Sequence, residues 1–127
     1  MITSDDLLRY VQLAAAAADD KKASNPVVID VGDVFSVSDY FVIASGSNPR
    51  QVHAITDAVE EEIKKAGGPG PVRVEGAESR EWVLLDYGPF VVHVFHQEQR
   101  DFYQLERLWA DRPRVEWEPF APRAEPV

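Results

Sequence analysis

Two side chains in the second half of the chain, Asp86 and His93, are of the types that serve as general acid and base. Proton transfer of that kind also needs a nucleophile or a third orienting group, and none accompanies the pair. Both are therefore read as polar groups of an interface or of the structure. Ser45-Gly46-Ser47 follows an apolar run and precedes a capped helix, a place where backbone N–H groups and a helix N-terminus hold phosphate. Phosphoryl transfer needs closely paired carboxylates as well, to seat magnesium, and the next strand-like stretch, Val72-Arg73-Val74-Glu75, offers only one. The small residues are better explained by a tight strand-to-helix turn. His53 and His96 stand apart from other ligand types, and the 127 residues include no cysteine. Thiolate metal sites, thiol nucleophiles and disulfides are thereby excluded. No catalytic residue, cofactor or metal is expected.

The surroundings of Asp86 point to a different kind of chemistry. Glu81 to Tyr87 and Phe90 to His96 are two strand-like runs split by Gly88-Pro89, which places Tyr87 opposite Phe90 if those two residues make the turn. Side chains alternate across a strand, so Val83, Leu85, Tyr87, Phe90, Val92 and Val94 share one face. That face is apolar apart from one phenol hydroxyl and should lie under helices. The other face carries Trp82, Leu84, Asp86, Val91, His93 and Phe95, too apolar for bare solvent and too polar for a sealed core. An aromatic anchor among apolar neighbours, with a charge to set register, is what protein interfaces concentrate. Trp82, Leu84 and Asp86 are read as a partner-binding surface.

The remaining elements must carry this hairpin. Thr3 or Ser4 caps a first helix whose apolar positions are Leu7, Leu8, Val11, Ala15 and Ala18 and which ends near Lys22. Asn25-Pro26 breaks it, and Val27, Val28, Ile29 and Val31 form a strand closed by Gly32. Tyr40-Phe41-Val42-Ile43-Ala44 is nearly continuous in apolar residues, as expected of a strand inside the sheet. Asn48-Pro49-Arg50-Gln51 reads as a capped helix start, with Val52, Ile55, Val59 and Ile63 on one side, Asp57, Glu60, Glu61 and Lys64 on the other, and Gly67-Gly68-Pro69 as the stop. The order strand, helix, strand from Tyr40 to Val74 implies a crossover between parallel strands. A last helix carries Phe102, Leu105 and Trp109 on one side, and this spacing assigns Trp109 to the core. The sum is an α/β fold, αββαβββα, with helices on a mixed five-stranded sheet. Residues 1–110 form the domain, and 111–127, with four prolines, read as a mobile tail with room for a short ordered stretch at Val115-Glu116-Trp117.

Composition sets the class of partner. The chain is 45% apolar and 28% charged, and no apolar run approaches the roughly 18 residues of a membrane span, so a soluble protein is expected. Asp5 and Asp6 stand where a secretion signal would be basic, which favours the cytoplasm. A net charge of −9 opposes direct binding to a phosphate backbone and would steer association toward a basic protein.

Several stretches resemble one family in order and over most of the chain, from Leu7 to Trp109. They are Ser38-Asp39-Tyr40-Phe41-Val42-Ile43-Ala44-Ser45-Gly46-Ser47, Arg50-Gln51-Val52, Glu75-Gly76, Trp82-Val83-Leu84-Leu85-Asp86-Tyr87-Gly88, Val91-Val92-His93-Val94-Phe95 and Arg100-Asp101-Phe102-Tyr103-Gln104-Leu105-Glu106-Arg107-Leu108-Trp109. This sequence is similar to the ribosomal silencing factors, also called Iojap proteins. The resemblance implies a fold related to nucleotidyltransferases without their metal-binding carboxylates. It implies a translational repressor that binds the large ribosomal subunit through ribosomal protein number fourteen and blocks joining of the small subunit when nutrients are scarce. It also implies a homodimer when free, and a contact strand that falls on Trp82, Leu84 and Asp86 and extends to Tyr87. Two other readings are a nucleotide-binding enzyme of nucleotidyltransferase type and a dimeric scaffold built on the first helix or a sheet edge.

Overall fold

The computed structural model describes residues 3–32, 38–79 and 81–120. Thr3 opens it as a cap, its hydroxyl accepting from the Asp6 amide at 3.1 Å, and helix α1 (Ser4–Asp20) runs from there. Leu7, Val11, Ala14, Ala15 and Ala18 bury one side of α1, and the small alanines let the helix lie close to the sheet. Asn48 starts helix α2 (Pro49–Lys65) by accepting from the Gln51 amide at 2.9 Å. Gln51 does not close a reciprocal capping box. Its Oε1 accepts from Ser47 N at 2.7 Å, and its Nε2 donates to Lys21 O and Lys22 O at 3.1 and 2.9 Å, tying the start of α2 to the end of α1. The helix stops in a Schellman arrangement. Gly68 N donates to Ile63 O, Gly67 N donates to Lys64 O, and Gly67 takes φ +87°, a conformation a Cβ would oppose.

Strands β1 (Ser24–Asp30), β2 (Tyr40–Gly46), β3 (Arg73–Glu75), β4 (Trp82–Asp86) and β5 (Phe90–His96) form one mixed sheet in the order β1-β2-β5-β4-β3. Only the β2/β5 pair is parallel. The expected architecture is met, and β2 lies inside the sheet as its apolar run demanded. β3 runs in the direction of β2, but at the far edge with β5 and β4 between them. The parallel neighbour of β2 is instead β5, whose residues Phe90 to Phe95 are all buried. Pro26 lies in β1, an edge strand, where a missing backbone donor is tolerated. In the β4–β5 hairpin Trp82 faces Phe95, Leu84 faces His93, and Tyr87 N donates to Phe90 O at 3.0 Å, so the turn has the predicted register.

Helices α1 and α2 cover one face of the sheet and seal it. Val83, Leu85, Tyr87, Phe90, Val92 and Val94 all belong to that core, together with Val28, Val42 and the buried sides of both helices. The final helix differs from expectation, forming two pieces, α3 (Gln97–Tyr103) and α4 (Leu105–Leu108). Gln104 breaks it with φ +48°, which turns the chain back so that Leu105 and Trp109 reach the opposite face of the sheet. The side chain of Phe102, read as part of the same stripe, lies outside the described residues.

Residues 112–120, expected as part of a mobile tail with room for an ordered stretch at Val115-Glu116-Trp117, lie along the sheet, and the docked stretch is longer than those three residues. Arg114 bridges to Ile29, Asp30 N donates to Pro113 O at 3.0 Å, and Val115 N donates to Val28 O at 2.8 Å, so this segment continues the sheet along the outer edge of β1. Gln12 Nε2 donates to Glu116 O at 2.9 Å, and Val115, Trp117 and Phe120 pack against the α1 core. The prolines remove backbone donors without preventing this docking, because the bonds use the amide of Val115 and the carbonyl of Pro113. Pro122 and Pro126 lie outside the described residues.

Candidate functional site

The outer face of the sheet, away from α1 and α2, gathers a second core of Ile29, Val31, Phe41, Ile43, Val91 and Phe95, with Trp82, Leu84, Leu105 and Trp109 partly buried against it. Strand β4 supplies the rim. Trp82, Leu84 and Asp86 point outward and are half-buried, while Val83 and Leu85 point into the sealed core, the alternation read from the sequence. Trp82 is less open than a surface anchor read from parity alone. Its ring stacks on Phe95 at 4.7 Å between centroids and meets Tyr103 of α3 at 5.2 Å, and its indole Nε1–H donates to His93 Nδ1 at 3.1 Å. Trp109 stands edge-on to Phe41 at 5.5 Å, in keeping with the core role its spacing implied.

His93 lies beneath this rim. It is 5% exposed, and burial pushes its pKa down to about 4, so the ring is neutral at physiological pH. Asp86 shares the face with His93, yet its carboxylate faces the turn: Oδ1 accepts from Gly88 N at 2.8 Å and Oδ2 meets Arg73 Nη2 at 3.4 Å. The structure does not bring these groups together as an acid and base pair. Asp86 is first a turn residue, and its charge is partly matched by Arg73.

Tyr87 does not share the outer face with Trp82, Leu84 and Asp86. It is 3% exposed on the helix-covered face, its ring stacked on Phe90 at 4.5 Å, and burial followed by the charge of Glu60 raises its phenol pKa. The odd position that follows Asp86 rotates its side chain to the opposite side of the sheet.

Ser45-Gly46-Ser47 does not present a cradle. Ser45 is buried, with its Oγ bonded to Gln97 Oε1 at 2.7 Å, and the amide and hydroxyl of Ser47 both turn to Gln51 Oε1. Donors that a phosphate would need are engaged inside the turn. His53 pairs with Asp57 at 3.0 Å on the exposed side of α2, and His96 Nδ1 accepts from Glu98 N at the start of α3. Among the described residues no three His, Asp or Glu side chains converge as metal ligands.

Arg100 is the residue that sequence reasoning did not single out by its chemistry. It is 4% exposed, and its guanidinium donates to Ser24 O, Asn25 O, Ser45 Oγ and Glu106 Oε1 at 2.8, 2.8, 3.1 and 3.0 Å. Asn25 adopts φ +44° at an irregularity of the β1/β2 ladder, and Arg100 collects the carbonyls that this irregularity turns away from the strand. One buried cation thus joins β1, β2 and the α3–α4 bend, and so holds Tyr103, Leu105 and Trp109 over the outer face. A lone arginine in a polar helix reads as solvated, and only the sheet end brought against it changes that.

Comparison with known proteins meets this arrangement from another direction. A family model described as "Ribosomal silencing factor during starvation" matches residues 4–126. The chain is 42% identical over 108 residues to the ribosomal silencing factor RsfS of Halalkalibacterium halodurans, covering 85% of this chain and 92% of that protein. It is 34% identical over 94 residues to the mitochondrial assembly of ribosomal large subunit protein 1 of Mus musculus, covering 72% of this chain and 41% of that protein. A crystal structure of a Chromobacterium violaceum protein superposes with a TM-score of 0.76 at 34% identity, covering 93% of this chain and 95% of that one.

Proposed function

The chain belongs to the ribosomal silencing factor family, and from that premise we propose that it represses translation by docking its outer sheet face on the large ribosomal subunit, at ribosomal protein number fourteen, so that the small subunit cannot join. The role is regulatory, in keeping with the family's description as a silencing factor acting during starvation. The name of the mouse relative, which speaks of large-subunit assembly, supports the choice of subunit.

The observation that carries the reading is the outer face itself: a half-buried tryptophan beside Leu84, over an aromatic bed, on a chain of net charge −9. The tryptophan supplies apolar anchoring, and the charge favours a basic protein over bare RNA. Repression needs no chemical step, since a ligand seated where the small subunit must bind blocks joining by occupancy alone. The nucleotide-binding alternative draws no support from the turn after β2, whose donors are satisfied within the chain.

The test is co-sedimentation with purified large subunits in a sucrose gradient, followed by addition of small subunits. The protein should travel with the large subunit and suppress formation of whole ribosomes. Failure to co-sediment, or co-sedimentation with joining undisturbed, would reject the proposal. When free, the protein is proposed to form a homodimer in the cytoplasm, in which case light scattering gives about twice the chain mass of 14.3 kDa.

A further inference from the structure

Trp82 is held in place before any partner arrives. Its ring stacks on Phe95 and meets Tyr103 at a tilt, but ring contacts of this kind have little directionality, and a hydrogen bond is what selects one orientation. That contact is the 3.1 Å bond from Nε1–H to His93 Nδ1. An indole nitrogen only donates, so Nδ1 must accept, and a neutral imidazole then carries its proton on Nε2. Nε2 meets no hydrogen-bond partner among the described residues, so nothing on that side of the ring competes for the tautomer. The imidazole is itself fixed, standing edge-on to Phe41 at 4.9 Å and nearly parallel to Phe95 at 6.2 Å, on the central strand of the sheet.

We infer that His93 is a positioning residue for docking: by accepting the indole proton it holds Trp82 in its binding orientation, so that the anchor enters the partner without losing side-chain freedom at that moment. The inference rests on the outer face being the docking surface. Preorganisation of this kind acts on affinity, whereas filling space in the outer core acts on stability. The two roles separate in a pair of substitutions. His93→Asn keeps an acceptor near the position of Nδ1 but leaves a void and a buried amide. His93→Leu fills the volume with an apolar group but removes the acceptor.

Thermal unfolding should rank His93→Leu above His93→Asn, since an apolar pocket prefers leucine. Affinity for purified large ribosomal subunits should rank them the other way. His93→Asn should bind within about twofold of the parent, and His93→Leu about three- to tenfold more weakly. Parent-like binding by His93→Leu, or an affinity order that follows the stability order, would overturn the inference. In the parent protein at pH 7, nitrogen NMR of the ring should show the proton on Nε2 and a bare Nδ1. A proton on Nδ1 would overturn the inference whether or not either variant folds. Trp82→Ala in the same binding assay separates the layers. If it binds as the parent does, the docking surface itself is misplaced and the inference falls with it. If it binds weakly while His93→Leu does not, only the role of His93 falls.

Discussion

The two faces of this sheet are built from the same strands and alternate residue by residue, yet they obey different rules. The core under α1 and α2 is filled mainly by Val, Leu, Ile, Phe and Ala, and the phenol hydroxyl that the sheet contributes from Tyr87 is buried without a hydrogen-bond partner among the described residues. The outer face holds a tryptophan, a histidine and an aspartate alongside its apolar residues, and its cover is a bent helix fastened by one buried arginine. A face made only for stability has no need of polar groups, because each one costs desolvation that must be offset by a bond. A face that keeps a tryptophan bonded to a histidine, turns its aspartate to the hairpin turn and leaves a large aromatic half-open has the composition of a docking surface, the role proposed for it.

The contrast is broken most severely from the inner face. Leu85→Ala should cost about 2–5 kcal/mol in urea unfolding, because Leu85 is fully buried and its neighbours cannot collapse around the void, while the molecules that remain folded bind as before. A loss in affinity per folded molecule would mean that the two faces are coupled.

Acid should act through the outer face. His93 titrates at about 4 when folded against its ordinary 6.5, so the unfolded chain takes up the proton first. Its contribution is complete above pH 6.5 and is lost as pH falls through that window, on the order of 3 kcal/mol between pH 6.5 and 4. Carboxylates titrate over part of the same range, so the measurement is the difference in urea midpoint between the parent and His93→Asn at several pH values. A difference that stays constant from pH 7 to 4.5 would contradict a buried neutral imidazole.

At the rim, Asp86 serves both the turn and the surface charge. Asp86→Lys removes the acceptor for Gly88 N and places two cations together at Arg73, so about 1–2 kcal/mol of stability and a faster association at low salt should both be lost. Asp86→Asn retains the turn and should lose only part of the association rate. Equal stability losses in the two variants would show that the carboxylate's charge, rather than the turn bond, matters to the fold. The smallest effect is expected on the exposed side of α2. Glu61→Lys removes one contact to Lys65 and should change stability by roughly 0.5 kcal/mol or less, with docking untouched.

Local signals account for most of the fold. Asn48-Pro49 marked the start of α2, Gly67-Gly68 its end, and the parity of the hairpin put each side chain of β4 on the face where it lies. Signals that depend on distant neighbours were not legible. Nothing near Gln104 announces a left-handed residue, and nothing near Arg100 reveals that Ser24, Asn25 and Ser45 will surround it. Of the segment 112–120 only Val115-Glu116-Trp117 suggested order, because prolines erase periodicity, although pairing with an edge strand needs only a few well-placed amides. Alternation placed the candidate residues Trp82, Leu84 and Asp86 on the outer face, where the structure has them. The same alternation, extended one residue, puts Tyr87 on the inner face. The bond from Trp82 to His93 crosses two strands and becomes visible only once their register is known.

If the outer face docks on the large ribosomal subunit with Trp82 as its anchor, Trp82→Ala is the substitution that must separate folding from binding. The ring is stacked and hydrogen-bonded at the rim rather than sealed, so the variant should remain folded by circular dichroism with a lowered melting temperature. Its affinity for purified large subunits should fall at least about thirtyfold, the equivalent of roughly 2 kcal/mol. A folded Trp82→Ala that binds as tightly as the parent would place the docking surface elsewhere on the molecule.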